Sequence, residues 1–147
     1  MIDSHPTDAD LWVTAKGFYA GELAVRSGGV VILVTPCPEG VAYAHPELLE
    51  RGYMSVRDVK ALVENRKLRD LTAAAHIAHT GRIVKDLARG IIVSPGIGPE
   101  TASRLHLAHA STPQEALTMA MGWLGGNASV AVFTHGAEVL PIVGERS

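Results

Sequence analysis

Apolar positions recur at helical spacing between Asp8 and Arg26, where Leu11, Ala15, Phe18, Leu23 and Val25 form a stripe and Asp8 or Asp10 offers a capping carboxylate. Ser27-Gly28-Gly29 stops that helix, because glycine takes the left-handed conformation at a helix end at little cost. Val30 to Val34 then reads Val-Val-Ile-Leu-Val, apolar on both parities. A strand covered on one face alternates, so this run predicts a central strand covered on both. Thr35-Pro36-Cys37-Pro38-Glu39-Gly40 is a loop, since its prolines lack the donor that helix or ladder needs. A short helix follows Pro46. A better one opens at Ser55, where Ser55-Val56-Arg57-Asp58 resembles a capping box with Asp in place of Glu.

An Ala-rich helix is predicted from Asp70 to Leu87, bent near Gly81, followed by a second strand over Gly90-Ile91-Ile92-Val93-Ser94. Pro95 to Pro99 turns the chain into a helix reaching about Leu107, and Thr112-Pro113-Gln114-Glu115 starts another that ends at Gly125-Gly126. Ala128 to Phe133 predicts a third strand and Val139 to Val143 a short last one. Strands that alternate with helices, and that are hydrophobic throughout, define an α/β chain. The expected form is a three-layer, Rossmann-like domain with a mainly parallel sheet flanked by helices.

Composition narrows the function classes. The 147 residues carry 13 Lys+Arg against 15 Asp+Glu, a net charge of −2, so the basic stripe of a nucleic-acid binder is not expected. This length points to one domain over residues 1–147. Cys37 is the only cysteine, which excludes an internal disulfide framework and fits a reducing compartment. Met1-Ile2-Asp3-Ser4-His5-Pro6 lacks the features of a secretory signal, and the apolar run from Val30 to Val34 is too short to span a membrane. A soluble, cytoplasmic protein is the expectation.

Ligands of open parallel sheets bind beyond the carboxyl ends of the strands. That rule selects the loops Thr35–Gly40, Ser94–Gly98 and Thr134–Glu138, with Thr35, Cys37, Glu39, Ser94, Gly96, Gly98, His135 and Glu138 as crevice candidates. Ordinary turns use the same residue types. Gly96-Ile97-Gly98 is only part of a dinucleotide fingerprint, because Thr101 stands where its third glycine would be. The helix start after Gly98 could still hold an anion on free N–H groups. His76 and His79, and likewise His106 and His109, have i,i+3 spacing on predicted helices, but neither pair has the third ligand that a metal needs, so no metal site is assigned. Cys37 would be reactive only with a base such as His45 or His135 beside it, and single cysteines are more often buried and inert. Lys16 interrupts an apolar and aromatic stretch, Leu11 to Tyr19, where its ammonium could hold a carboxylate or simply snorkel to solvent.

Lys16-Gly17, Gly28-Gly29-Val30-Val31-Ile32, Glu39-Gly40, Val93-Ser94-Pro95-Gly96, Thr112-Pro113-Gln114-Glu115-Ala116-Leu117 and His135-Gly136-Ala137-Glu138 form an ordered set. By that set the chain resembles the C-terminal domain of the lactate racemase family, nickel-pincer nucleotide enzymes acting on 2-hydroxy acids, over about residues 8–143. The resemblance implies a two-lobe enzyme whose N-terminal lobe holds the cofactor, the nickel and the paired catalytic histidines. None of those motifs occurs in this sequence, so no catalytic residue is expected on this chain alone.

The resemblance further implies that the C-terminal lobe closes the cleft and contributes a substrate-binding lysine, matched by Lys16. The family has glutamine three residues earlier, where this chain has Val13 beside Trp12, a departure that puts lactate itself in doubt as the substrate. An aromatic of the Ala-rich helix also faces the substrate in the family, and His76 lies nearest to it in sequence. The implied partners are the N-terminal lobe, in the same longer chain or as a split subunit, and a small 2-hydroxy acid. Neither nucleic acid nor membrane is expected, and an exposed cleft face could drive self-association. The alternative from a different class is a stand-alone module that binds a small anion or nucleotide at Gly96 and Gly98 without catalysis.

Overall fold

The computed structural model describes residues 8–144, so the segment Met1–Pro6 and its lack of a signal lie outside the described residues. In chain order the elements are α1 (Leu11–Thr14), α2 (Lys16–Ala24), β1 (Val30–Val34), α3 (Glu47–Arg51), α4 (Val56–Glu64), α5 (Leu71–Gly81), a π-helical turn (Arg82–Leu87), β2 (Arg89–Val93), α6 (Pro99–Arg104), β3 (Ala108–His109) and α7 (Pro113–Leu124). The three strands form one parallel sheet in the order β1-β2-β3, with Val30 opposite Arg89, Val34 opposite Val93, and Ile91 opposite Ala108. The α/β class with a parallel, helix-flanked sheet is therefore what forms.

Local chemistry explains most boundaries. The Asp10 carboxylate accepts from the Val13 amide at 2.9 Å to start α1. Asp70 accepts from Thr72 and Ala73 to start α5, and Thr112 accepts from Glu115 to start α7. The expected bend near Gly81 is a π-helical turn, closed by an Ala88 amide to Ile83 carbonyl bond of 2.8 Å. The first predicted helix breaks in two at Ala15, which leaves Lys16 as the opening residue of α2.

The sheet separates two apolar layers. Val31, Leu33 and Ile92 face a large cluster built with Phe18, Ile77, Ile83 and Leu105, while Ile91 and Val93 face Ala116 and Ala120 of α7. Three expectations are corrected. β1 is not central: it stands at the end of the strand order, with Val31 and Leu33 buried and Val30, Ile32 and Val34 only half-covered. Ala128–Phe133 and Val139–Val143 form no strand among the described residues, and the third strand is Ala108–His109 instead. An apolar, β-branched run measures fitness for a pleated, half-buried surface and cannot itself supply the neighbouring edge. Finally, α6 ends at Arg104, so His106 (at φ +62°) and His109 in β3 do not share a helix face.

Candidate functional site

The α2 helix packs on β1 and runs back to the start of that strand, so its first residue, Lys16, lies toward the carboxyl ends of the strands. The loop after β1 is tied to α1 there, by the Leu11 amide to the Gly40 carbonyl and the Trp12 amide to the Val41 carbonyl, both 2.9 Å. Trp12, Lys16 and Tyr19 follow at i, i+4 and i+7, and α5 opposite them carries His76 and His79 at i, i+3.

These two faces, with His45 from the loop before α3, build a column of rings. Trp12 stacks on His45 (centroids 3.8 Å apart, planes at 16°) and on His76 (4.1 Å, 23°). The Tyr19 hydroxyl and His76 Nδ1 share a hydrogen bond of 3.0 Å, and the Tyr19 ring stacks on His79 at 4.1 Å. Carboxylates fix both ends. His45 Nδ1 lies 2.8 Å from Asp70 Oδ2, and Glu22 holds both His79 Nε2, at 3.2 Å, and the Arg82 guanidinium.

Burial decides the protonation states along this column. His76 is 9% exposed, and loss of water, helped by the charges of His45 and His79, pulls its pKa down to about 4. The imidazole is therefore neutral near pH 7. Burial also raises the Tyr19 phenol, so the Tyr19–His76 bond joins two neutral groups. Below them Tyr53 is fully buried, with its hydroxyl bonded to no protein group among the described residues, and burial pushes its pKa far up.

Lys16 differs from every other charged group here. It is exposed, and it has no ion-pair partner among the described residues. A lysine in the first turn of a helix also opposes the helix dipole, which favours anions at that end. An anion that arrived at Lys16 would meet its exposed ammonium four residues after Trp12.

The strand-end crevice is organised differently from the expectation. Thr35 and Ser94 are buried, and they stitch the two loops to one another. The Thr35 amide donates to the Val93 carbonyl, and the Ser94 hydroxyl donates to the Pro36 carbonyl at 2.9 Å. The Gly96 amide is already given to Ser94 Oγ and the Pro36 carbonyl. Glycine is required at 96 because a Cβ would overlap the Cys37 carbonyl. Gly98 precedes a helix of only six residues, and Glu39 is exposed.

Cys37 is fully buried, at φ +43°, with its Sγ 3.6 Å from the hydroxyls of Thr14 and Thr35. Burial raises its thiol pKa, the opposite of activation. His135 and Glu138 sit in the segment after α7, both exposed, where the Glu138 amide closes a local turn on the His135 carbonyl. With no strand before them, the strand-end argument for these two residues lapses.

Of the three expected substrate-binding residues the structure stacks Trp12 on His76, and the parts of Tyr19, His45, His79 and Glu22 in this column have no counterpart in the sequence expectation. Tyr19 was within reach, since it continues the spacing set by Trp12 and Lys16. His45 was not, because nothing local ties it to a tryptophan 33 positions earlier.

Comparison with known proteins follows from this geometry. The family model described as the lactate racemase C-terminal domain matches residues 3–141. The chain belongs to that family. A comparison with curated protein sequences gave no match. Among solved structures, the lactate racemase apoprotein from Thermoanaerobacterium thermosaccharolyticum is similar, with a TM-score of 0.78 and 23% identity. The alignment covers 98% of this chain and 35% of that one, so the chain spans about a third of the length of the protein it matches. At that identity the likeness concerns the fold. No helix among the described residues is long and apolar enough to cross a membrane.

Proposed function

We propose that this chain is the cleft-closing C-terminal lobe of a 2-hydroxy-acid racemase or epimerase, inactive without an N-terminal lobe. The observation that carries the reading is Lys16, an exposed cation without an ion-pair partner among the described residues, at the start of α2 and four residues after Trp12 of α1. In this reading the Lys16 ammonium pairs with the substrate carboxylate and fixes the direction in which C2 faces the opposite lobe. Positioning of this kind can contribute several powers of ten in rate.

Trp12 and the neutral His76 form the wall beside that carboxylate. Val13 stands where the family has glutamine and offers no side-chain hydrogen bond there, which suits a 2-hydroxy acid with a less polar or different side chain. The nickel-pincer nucleotide implied by the family is held, in this reading, mainly by the N-terminal lobe. The family resemblance assigns the cofactor and the proton-moving histidines to the other lobe, and among the described residues no group of three His, Cys, Asp or Glu side chains could hold a metal ion.

The test is Lys16→Ala in the complete two-lobe protein. Turnover at a fixed, low concentration of 2-hydroxy acid is expected to fall by about a hundred-fold or more, with an unchanged circular dichroism spectrum, and Lys16→Arg should recover part of it. Unchanged turnover in Lys16→Ala would remove Lys16 from the site.

A further inference from the structure

Trp12 is gripped from both sides. The rings of His45 and His76 lie 3.8 and 4.1 Å from it, centroid to centroid, with planes within 23° of parallel. Flat rings in contact stand about 3.5 Å apart, so each imidazole lies almost directly over the indole. Two imidazoles placed that way on one face would overlap, and no ring contact joins His45 to His76 among the described residues. They therefore cover opposite faces.

Both jaws of this clamp are fastened to α5. His76 belongs to that helix, and its Nδ1 shares the 3.0 Å bond with the Tyr19 hydroxyl. His45 comes from a loop, but its Nδ1 lies 2.8 Å from Asp70 Oδ2, while Asp70 Oδ1 caps the same helix through the Thr72 and Ala73 amides. Trp12 is itself tied by its amide to the Val41 carbonyl. An indole held in this way has no π face to offer a ligand. What it leaves uncovered is its edge, with an Nε1–H that has no partner among the described residues and is open to solvent.

We propose that His45 is a positioning residue that sets substrate choice. By occupying one face of Trp12 it bars an aromatic side chain from stacking there, so the site takes 2-hydroxy acids with aliphatic side chains and discriminates against aryl ones. This rests on the reading of Trp12 as part of the substrate wall and deepens it by naming the substrate class. Stacking on a free indole face is the contact by which such a wall would favour an aryl group, and stacking within the chain has already taken it. His45 is the controlling jaw because His76 is 9% exposed and lies against Tyr53, whereas the His45 side chain is 24% exposed and can be replaced by a ligand's ring.

The experiment uses His45→Asn, which removes the ring and keeps a donor for Asp70, with His45→Ala as the second variant. In this chain carrying Trp123→Phe, Trp12 is the one tryptophan left. Acrylamide quenching of its emission should rise by about two-fold or more in both variants, and His45→Asn should keep the melting temperature. In the two-lobe protein the wild type should favour 2-hydroxybutanoate over 2-hydroxy-3-phenylpropanoate. Either variant should move the ratio of kcat/KM toward the phenyl acid by about ten-fold or more, mainly through KM.

A wild-type preference for the phenyl acid, or an unchanged ratio in variants whose quenching has risen, would overturn the proposal. Quenching that rises in neither variant would also overturn it, because His45 would then not cover Trp12. An assembly that turns over neither acid would count against the racemase reading alone. The dissociation constants of the two acids, measured by calorimetry, would then decide the clamp by the same ten-fold shift, and binding of neither acid would overturn both.

Discussion

His76 couples its position to pH. Its pKa of about 4 lies below the 6.5 of an exposed imidazole, and the shift comes from burial first and from the neighbouring His45 and His79 next. As pH falls through 6.5 the unfolded chain takes up a proton that the folded chain refuses, so stability declines until about pH 4, where the folded form also protonates. The unfolded state binds more protons throughout this window, which makes stability rise with pH. Between pH 7.5 and pH 5 this single group is expected to remove about 2 kcal/mol. His76→Gln, which keeps an acceptor for the Tyr19 hydroxyl but does not titrate, should lose correspondingly less over the same range. Urea midpoints of the two proteins at both pH values read the difference directly. Parallel losses would mean that His76 is not held neutral by its surroundings.

At the level of elements, two helical glycines make opposite forecasts. Gly81, at the end of α5, lies against the backbone of Met54, and a Cβ there would overlap the Met54 carbonyl. Backbone cannot retreat as a side-chain tip can, so Gly81→Ala should cost about 1–3 kcal/mol or more. Gly122 in α7 has nothing within 4 Å of the place its Cβ would occupy. Gly122→Ala should therefore stabilise by about 0.5–1 kcal/mol through helix propensity alone. Denaturant titration of the two variants decides it, and equal signs would show that contact at the glycine is not what governs its replacement.

The same elements show what was legible in the sequence. β1 and the body of β2 could be read because their residues are apolar on both parities, and the helix starts at Asp10, Ser55, Asp70 and Thr112 because capping chemistry is local. The edge position of β1 could not be read, because strand order depends on partners distant in sequence. The two-residue β3 is too short to leave a pattern. Trp12, Lys16 and His76 could be singled out only through family resemblance, whereas the ring column that joins Trp12 to His76 is a tertiary fact.

For the whole molecule, the division between a buried fold and the segment 127–143 has a consequence for stability. Both apolar clusters close with residues up to Ala120, and Ala116 and Ala120 of α7 supply the buried side chains packed on Ile91 and Val93. After Leu124, Gly136 is the only buried residue among those described, and Ala128, Phe133, Ala137, Val139 and Pro141 are half-buried. A chain ending at Gly126 should therefore still fold cooperatively. It gives up partial cover over Val30 and Ile32 but no core side chain, so its melting temperature should fall by no more than about 5 °C, the change that 1–2 kcal/mol produces at this size. Its urea m-value should drop only slightly, because little surface is buried by that segment. Loss of the cooperative transition would mean that the segment holds the fold together. Retention of the transition would show that the fold closes without the valines, leucine and isoleucine of residues 127–143.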